Sequence, residues 1–413
     1  MNYTEAIDWL ENIPISFDSN YDGYELKLVN IAKFLEQLGN PQNDLSLIHV
    51  GGTNGKGSTC HIISSILQEH GFKVGLFSSP HIYDFRERIK INSNYIDKDF
   101  ILEFIKDNKN YITKNNLSFF ETSFAIALCY FKKIKPEYVI IEVGLGGRLD
   151  ATNIINPIIS VITNIGFDHK KFLGNTLIQI ANEKAGIIKS SADTVIGEYD
   201  ENLNKVFESH ALEKNSKIHY ADQSVNFYKS DLQGFYQYRN INTAIKTIEK
   251  MNSFVVDKTN LENGINNVVK NTNLIGRWQI IGTSPTIIFD VAHNFNSIKL
   301  IFEQLSKIKK PIRVVFGTLD KIDQLNCLDL FPKNYHYYLC SPNVNRAMSV
   351  DVLKDYAKKL GLKYQTFKTV ENAYKKAILD SNKVDTIMVT GSNYLFSQIN
   401  DLNLSLIHIS EPT

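Results

Sequence analysis

Short apolar runs alternate along this chain with longer stretches in which apolar positions recur every three or four residues. Residues 45–49, 73–79, 137–143 and 158–165 are runs of the first kind and read as strands; residues 3–12, 26–38, 61–70, 101–108 and 122–133 show the helical period. The helix over 26–38 stops at Gly39 with Pro41 beyond it, a residue tolerant of left-handed backbone followed by one that cannot donate a hydrogen bond. Strands near residue 195 and over 217–220, with helices over 203–212, 237–251 and 261–269, continue the alternation. After residues 271–284 a second series begins, with strands over 286–289, 312–316, 336–340 and 386–389 and helices over 297–308, 350–360 and 373–379. Such alternation predicts largely parallel sheets covered by helices.

One stretch stands out between the strand at 45–49 and the helix at 61–70: Val50-Gly-Gly-Thr-Asn-Gly-Lys-Gly-Ser-Thr59. A strand, a glycine-rich turn and a helix together make a phosphate-binding unit. Glycines let successive backbone N–H groups turn toward an anion at a helix N-terminus, Lys56 adds a point charge, and Ser58 or Thr59 offers a hydroxyl to a magnesium ion. Only three residues separate Gly51 from Gly55, and a glycine follows the lysine directly, so the loop departs from the usual P-loop spacing. The expected fold is α/β in two domains: an N-terminal P-loop ATPase domain with a mainly parallel sheet over residues 1–275, a linker over 276–284, and a smaller C-terminal α/β (Rossmann-like) domain over 285–404. Residues 405–413 continue no pattern and read as a non-native or disordered tail.

A length of 413 residues agrees with two or three domains. Lysine plus arginine (45) nearly balances aspartate plus glutamate (44), so bulk charge calls for neither nucleic acid nor an anionic membrane. The cysteines Cys60, Cys129, Cys327 and Cys340 have no metal-type or disulfide-type spacing, which suits buried thiols in a reducing compartment. With no signal peptide and no run long enough to span a bilayer, a cytoplasmic protein, working as a monomer on small molecules, is expected.

Several polar residues stand where strands end or helices begin. Glu142 closes an apolar strand, where burial of a carboxylate demands a cation or donors; magnesium, bound with phosphates and waters, would supply the first. His169 follows Gly166-Phe-Asp168 and is a candidate for a second metal or a phosphate. Lys184 lies in an otherwise apolar helix, where desolvation would make its amine nucleophilic enough to take up carbon dioxide as a carbamate. Arg277 and the run Asp290-Val-Ala-His293-Asn294 belong to the second half, which implies a cleft that closes.

Taken in order, Gly52-Thr-Asn-Gly-Lys-Gly-Ser58, Ser79-Pro-His81, the run from Glu142 to Asn153, Thr163-Asn-Ile-Gly-Phe-Asp-His169, Glu183-Lys-Ala-Gly-Ile-Ile-Lys189, Gly276-Arg277 and Asp290-Val-Ala-His-Asn294 resemble the folylpolyglutamate synthases, including the bifunctional bacterial type with dihydrofolate synthase activity, in the Mur ligase superfamily. The resemblance runs from about residue 3 to about residue 397. It implies an ATP-dependent ligase that adds L-glutamate to dihydropteroate, to the γ-carboxyl of tetrahydrofolate polyglutamates, or to both, through an acyl phosphate. It further implies that Gly52, Thr53, Asn54, Gly55, Lys56, Gly57 and Ser58 hold ATP with Asn240, Arg277 and Asp290. Ser58, Ser79 and Glu142 would serve one Mg2+ and His169 a second, and Lys184 would be carbamylated. Ser118, Phe119, Phe120, Glu121, Leu149, Asp150 and Ala151 would contact the pterin acceptor, and His293 and Ser392 would lie near the incoming glutamate, with Lys56, Lys184 and His293 as the catalytic set. Phe295 and Asn393 replace residues usual in the family, and residues 17–25, which should help to cover the pterin, match its pattern poorly. A muropeptide ligase would carry a hydroxyl residue directly after Lys56 and a further N-terminal domain. A regulatory P-loop switch would leave the second-half motifs unexplained.

Overall fold

The structure is a computed structural model and describes residues 1–14, 27–190, 192–226, 228–319 and 325–399. The poorly matching segment 17–25 and the tail 405–413 lie outside the described residues. Two compact units are present: Met1–Gly166, Lys171–Asp231 and Gln237–Leu274 form the first, and Phe167–Lys170, Leu232–Tyr236 and the chain from Ile275 onward form the second.

The first unit is built on an eight-stranded sheet of β1 (Leu47–Gly51), β2 (Val74–Phe77), β3 (Ile89–Ile91), β4 (Asn94–Tyr95), β5 (Tyr138–Glu142), β6 (Ile159–Ile162), β7 (Asp193–Ile196) and β8 (Ile218–Tyr220), in the order β4-β3-β2-β5-β1-β6-β7-β8. All pairs are parallel except β2 with β3 and β3 with β4. Every residue of β1 is buried, as expected of a central parallel strand covered on both faces. Its register with β5 sets Val50 beside Glu142, and its register with β6 sets Gly51 beside Ile162, so the loops leaving these three strands emerge together at one sheet edge. Open α/β sheets bind ligands at that edge.

Helix Lys56–Glu69 starts earlier than its apolar period suggests. Gly55, in left-handed backbone, turns the chain directly into the helix, so Gly57 and Ser58 already belong to its first turn. The helix is buried continuously over residues 57–67, polar members included. Gly264 explains part of this: a Cβ there would strike the Ile66 backbone, and the Ser65 hydroxyl donates to the Gly264 carbonyl at 2.6 Å. The hairpin β3–β4 was not foreseen, because two short strands carry too few residues for a period. Its Lys90 is buried, with its pKa pushed down by burial to about 8, and donates to the Thr272 carbonyl at the end of helix Val268–Thr272 at 2.9 Å.

The second unit has a six-stranded sheet of β9 (Gln279–Thr283), β10 (Thr286–Phe289), β11 (Ile312–Phe316), β12 (His336–Cys340), β13 (Lys363–Phe367) and β14 (Thr386–Thr390), ordered β13-β12-β11-β14-β10-β9 and parallel except for β9. Residues 276–284 are therefore not a linker. Most of them form the antiparallel edge strand β9, whose partly exposed residues give no strong apolar signal. The opposite edge, β13, was missed for the same reason. Asp290, at the exit of β10, is a buried hub: its carboxylate accepts from the Tyr236 hydroxyl at 2.5 Å, the Trp278 N–H at 2.8 Å and the Ala292 N–H at 2.9 Å. This ties Leu232–Tyr236, β9 and the turn after β10 into one unit. Among the described residues no helix is long and apolar enough to cross a membrane.

Burial raises the Asp290 carboxyl above its ordinary value, and Arg277 and the three donors only partly oppose this. A carboxyl shifted that way favours folding below its unfolded pKa of about 4 and loses that contribution as pH rises through the native value. Removing the tyrosine donor burdens mainly the ionised form. Tyr236→Phe should therefore cost about 1.5–3 kcal/mol near pH 8 and less toward pH 5, read by urea unfolding at both. An equal loss at the two pH values would remove the titrating hub.

Candidate active site

The loop after β1 is held in shape by the turn after β6. Thr53 donates its N–H to the Asn164 carbonyl at 2.9 Å, Asn54 donates its N–H to the Asn164 side chain at 2.9 Å, and the Thr163 hydroxyl donates to the Asn54 carbonyl at 2.6 Å. The Thr53 hydroxyl accepts from the Gly166 N–H at 2.9 Å. Thr53 and Asn54 thus shape the loop. Gly52 and Gly55 both have positive φ, and a Cβ at either would collide, with Thr163 in the first case and Asn240 in the second. The glycines are required by close approach as well as by backbone conformation.

Two lysines meet over this loop. Lys56 Nζ donates to the carbonyls of Gly52 and Thr53, each at 3.1 Å, and the buried Lys184 Nζ donates to the same Gly52 carbonyl at 2.8 Å. Lys184 comes from helix Leu177–Ala185, packed so closely on the loop after β5 that a Cβ at Gly147 would meet the Glu183 and Lys184 carbonyls. On the helix side, Asn240 donates to Gln237 Oε1 at 2.7 Å, and Gln237 donates to the Ser58 hydroxyl at 3.3 Å. Gln237 was not singled out from sequence; its place three residues before Asn240, on one helix face, is the signal that could have found it.

Glu142 and Ser79 come together as expected: the buried carboxylate accepts the Ser79 N–H at 2.9 Å. The same carboxylate reaches the start of the loop helix, because after burial its charge is the main influence raising the Cys60 thiol well above its ordinary value. A buried glutamate that already accepts the Ser79 N–H is of the kind that fits a hard divalent cation, which takes oxygen ligands. Among the described residues no group of three or more His, Cys, Asp or Glu side chains gathers.

The residues assigned to the acceptor divide. Ser118 and Glu121 form a capping box at the start of helix Phe119–Ile134, with the serine hydroxyl donating to Glu121 at 2.6 Å, and both are buried. Phe120 packs against Phe77, and a Cβ at Gly144 would meet its ring at 2.6 Å. Asp150 accepts from the Leu145 N–H at 2.8 Å and from the Thr152 hydroxyl at 2.5 Å, fixing the turn in which Leu149 and Ala151 lie, and burial raises its carboxyl. Phe119 is the half-buried member: its ring lies 6.0 Å from Phe85, with the Arg88 guanidinium 4.9 Å from its centroid. Arg88 also donates to His81 Nδ1 at 2.7 Å, and burial with that charge pushes His81 down to about 3. Of this aromatic and guanidinium wall, only His81 and Phe119 were singled out from the sequence.

The remaining residues belong to the second unit. His169 sits there, in left-handed backbone within Phe167–Lys170. Its neighbour Asp168 accepts from the Asn294 side chain at 3.1 Å and lies 3.6 Å from His293 Nε2. His293 Nδ1 faces the Val291 carbonyl at 3.0 Å, and since a carbonyl only accepts, that nitrogen carries a proton. Ser392 is buried after β14 and caps the following turn through Tyr394 N–H; Gly391 N–H donates to the Ala292 carbonyl at 2.9 Å, joining this turn to the one bearing His293. Arg277 donates to the Gly276 carbonyl at 3.1 Å, and Asp290 spends its carboxylate on the hub described above.

Comparison with known proteins gives these geometries a family. The chain matches the Mur ligase middle domain over residues 50–266 and the Mur ligase glutamate ligase domain over residues 276–393. It is 34% identical to the dihydrofolate synthase/folylpolyglutamate synthase of Buchnera aphidicola subsp. Schizaphis graminum, over 98% of this chain and 97% of that protein. A probable bifunctional folylpolyglutamate synthase/dihydropteroate synthase of Haloferax volcanii is 27% identical over 96% of the chain, which spans only 50% of that longer protein. Among solved structures, E. coli FolC in complex with DHPP and ADP superposes with a TM-score of 0.81 at 25% identity, covering 99% of both chains. A bifunctional folylpolyglutamate synthase/dihydrofolate synthase with Mn, AMPPNP and L-glutamate bound gives 0.82 at 25% identity over 98% of both. Matched by the middle domain over more than half its length and by the Buchnera enzyme almost end to end, the chain belongs to the Mur ligase family, among the dihydrofolate synthase/folylpolyglutamate synthases.

Proposed function

We propose that this chain joins L-glutamate to dihydropteroate, to the γ-carboxyl of tetrahydrofolate polyglutamates, or to both, releasing ADP and phosphate. ATP-dependent ligation of glutamate to folates is the reaction of its family. The observation that carries the reading is the meeting of Lys56 and Lys184 on one carbonyl of a glycine loop. Two ammonium groups brought to one acceptor repel each other. Such crowding is relieved by an anion in the loop, and a triphosphate is the anion that a strand, glycine turn and helix accept.

A carboxylate resists attack by an amine, so it must first be activated. Phosphoryl transfer from ATP to the acceptor carboxylate gives an acyl phosphate; the glutamate amine then attacks the acyl carbon and phosphate departs. Lys56 and the loop N–H groups hold the phosphates and offset the charge spread over the transferring oxygens. Ser58, Ser79 and Glu142 are the residues to hold one Mg2+ and His169 a second, each supplying positive charge against the phosphate oxygens. Carbamylation of Lys184 would exchange one of the two crowded cations for a carboxylate, which is the physical ground for it here. His293 and Ser392, on joined turns of the second unit, are assigned to the glutamate, and the Phe119–Arg88 wall suits a flat acceptor ring.

Purified chain with ATP, Mg2+ and L-glutamate should release ADP in proportion to added dihydropteroate or tetrahydrofolate, with a product one glutamyl unit heavier. Turnover with each acceptor separately decides between one activity and two, and hydrolysis indifferent to acceptor and glutamate would replace the ligase with a nucleotide switch. Lys56→Ala and Glu142→Ala should each lower turnover by at least about 10²-fold with an unchanged circular dichroism spectrum; normal turnover in either would sink the phosphate and metal assignment. Lys184→Ala should lose about 10²-fold, partly restored by added formate or acetate, whereas wild-type rates in the plain variant would end the carbamate role.

A further inference from the structure

We infer that Asp168 is a positioning residue that joins the turn carrying His169 to the turn carrying His293, so that the metal-side and glutamate-side groups of the second unit are set together. The two carboxylate oxygens have different partners. Oδ1 accepts the His169 N–H at 2.8 Å and holds that residue in its left-handed backbone, with His169 Nε2 at 3.7 Å. Oδ2 accepts from Asn294 Nδ2 at 3.1 Å and faces His293 Nε2 at 3.6 Å. The Asn294 amide is itself divided, since its Oδ1 caps helix Phe295–Leu305 by accepting the Ser297 N–H at 3.0 Å. Asp168 is thus a bridge between a four-residue excursion of the chain and the start of a helix more than 120 residues later, with a side chain that is 12% exposed. This role rests on the reading that His293 serves the glutamate.

The two donors make the site selective. A carboxylate can accept from both; an amide offers one oxygen, so its NH2 group would face one of the two donors. Asp168→Asn should therefore raise the glutamate KM by about 10-fold, with a smaller effect on the ATP KM. Asn294→Asp should do the same, by setting two carboxylates against each other while still capping its helix. The reciprocal double exchange, Asp168→Asn with Asn294→Asp, restores one donor and one carboxylate across the contact. It should return the glutamate KM to within about 3-fold of wild type, a rescue that independent structural damage would not give.

The measurement is steady-state ligation by the full chain with L-glutamate and MgATP varied in turn, and thermal unfolding of each variant beside it. Rescue in the double exchange supports the bridge. A wild-type glutamate KM in Asp168→Asn, or a double exchange as impaired as the product of the single ones, overturns it. If a single variant fails to fold, recovery of both melting temperature and KM in the double exchange still decides for the contact, and failure of both decides against it. Absence of glutamate-dependent turnover in the wild-type chain would instead overturn the proposed function.

Discussion

Positive charge crowded onto one carbonyl is the constraint around which the first unit is arranged. Lys56 and Lys184 reach Gly52 from helices on different sides of the loop, and neither could do so if the loop were free to relax. The turn after β6 prevents relaxation through Thr163, Asn164 and Gly166, all bonded to the loop's own polar groups. Because these donors and acceptors are satisfied within the protein, the loop keeps its shape without a ligand, and the ordering entropy is met during folding, before any binding.

Several polar residues assigned to the candidate site are engaged in building its surroundings. Ser118, Glu121 and Asp150 are polar and stand beside the ligand-binding edge, yet their bonds close a helix start and a turn. Burial makes such bonding obligatory, since an unmatched carboxylate there would cost several kcal/mol. Asp290 follows the same logic in the second unit.

Much of the fold was legible because strands buried on both faces and long amphipathic helices leave periodic signals. β1, β2 and β5 and helix Phe119–Ile134 were found near their observed bounds, as were most strands of the second unit. What escaped were the edges: β3, β4, β9 and β13 are short or partly exposed, and exposure removes the apolar pattern that marks a strand. Among the candidate site residues, the loop, Lys56, Lys184 and Glu142 stood out in the sequence because glycine spacing and charge within apolar runs are local features. The bond from Gln237 to Ser58, the stacking of Arg88 on Phe119 and the clamp by Thr163 and Asn164 are contacts distant in sequence, and no window along the chain contains both partners.

The division into two units also shows why the domain boundary could not be read as one point. The chain passes between units five times, after Gly166, Lys170, Asp231, Tyr236 and Leu274, and two of these passages, after Gly166 and after Tyr236, adjoin partners of the glycine loop and its helix. At the first passage, Gly166 bonds the phosphate loop through Thr53, while Asp168, two residues on, bonds Asn294 of the second unit. At the later one, Tyr236 bonds Asp290, while the next residue, Gln237, bonds Ser58 in the first turn of the loop helix. These two passages each join a residue bonded to the glycine loop or its helix to one bonded within the second unit, with at most one residue between them.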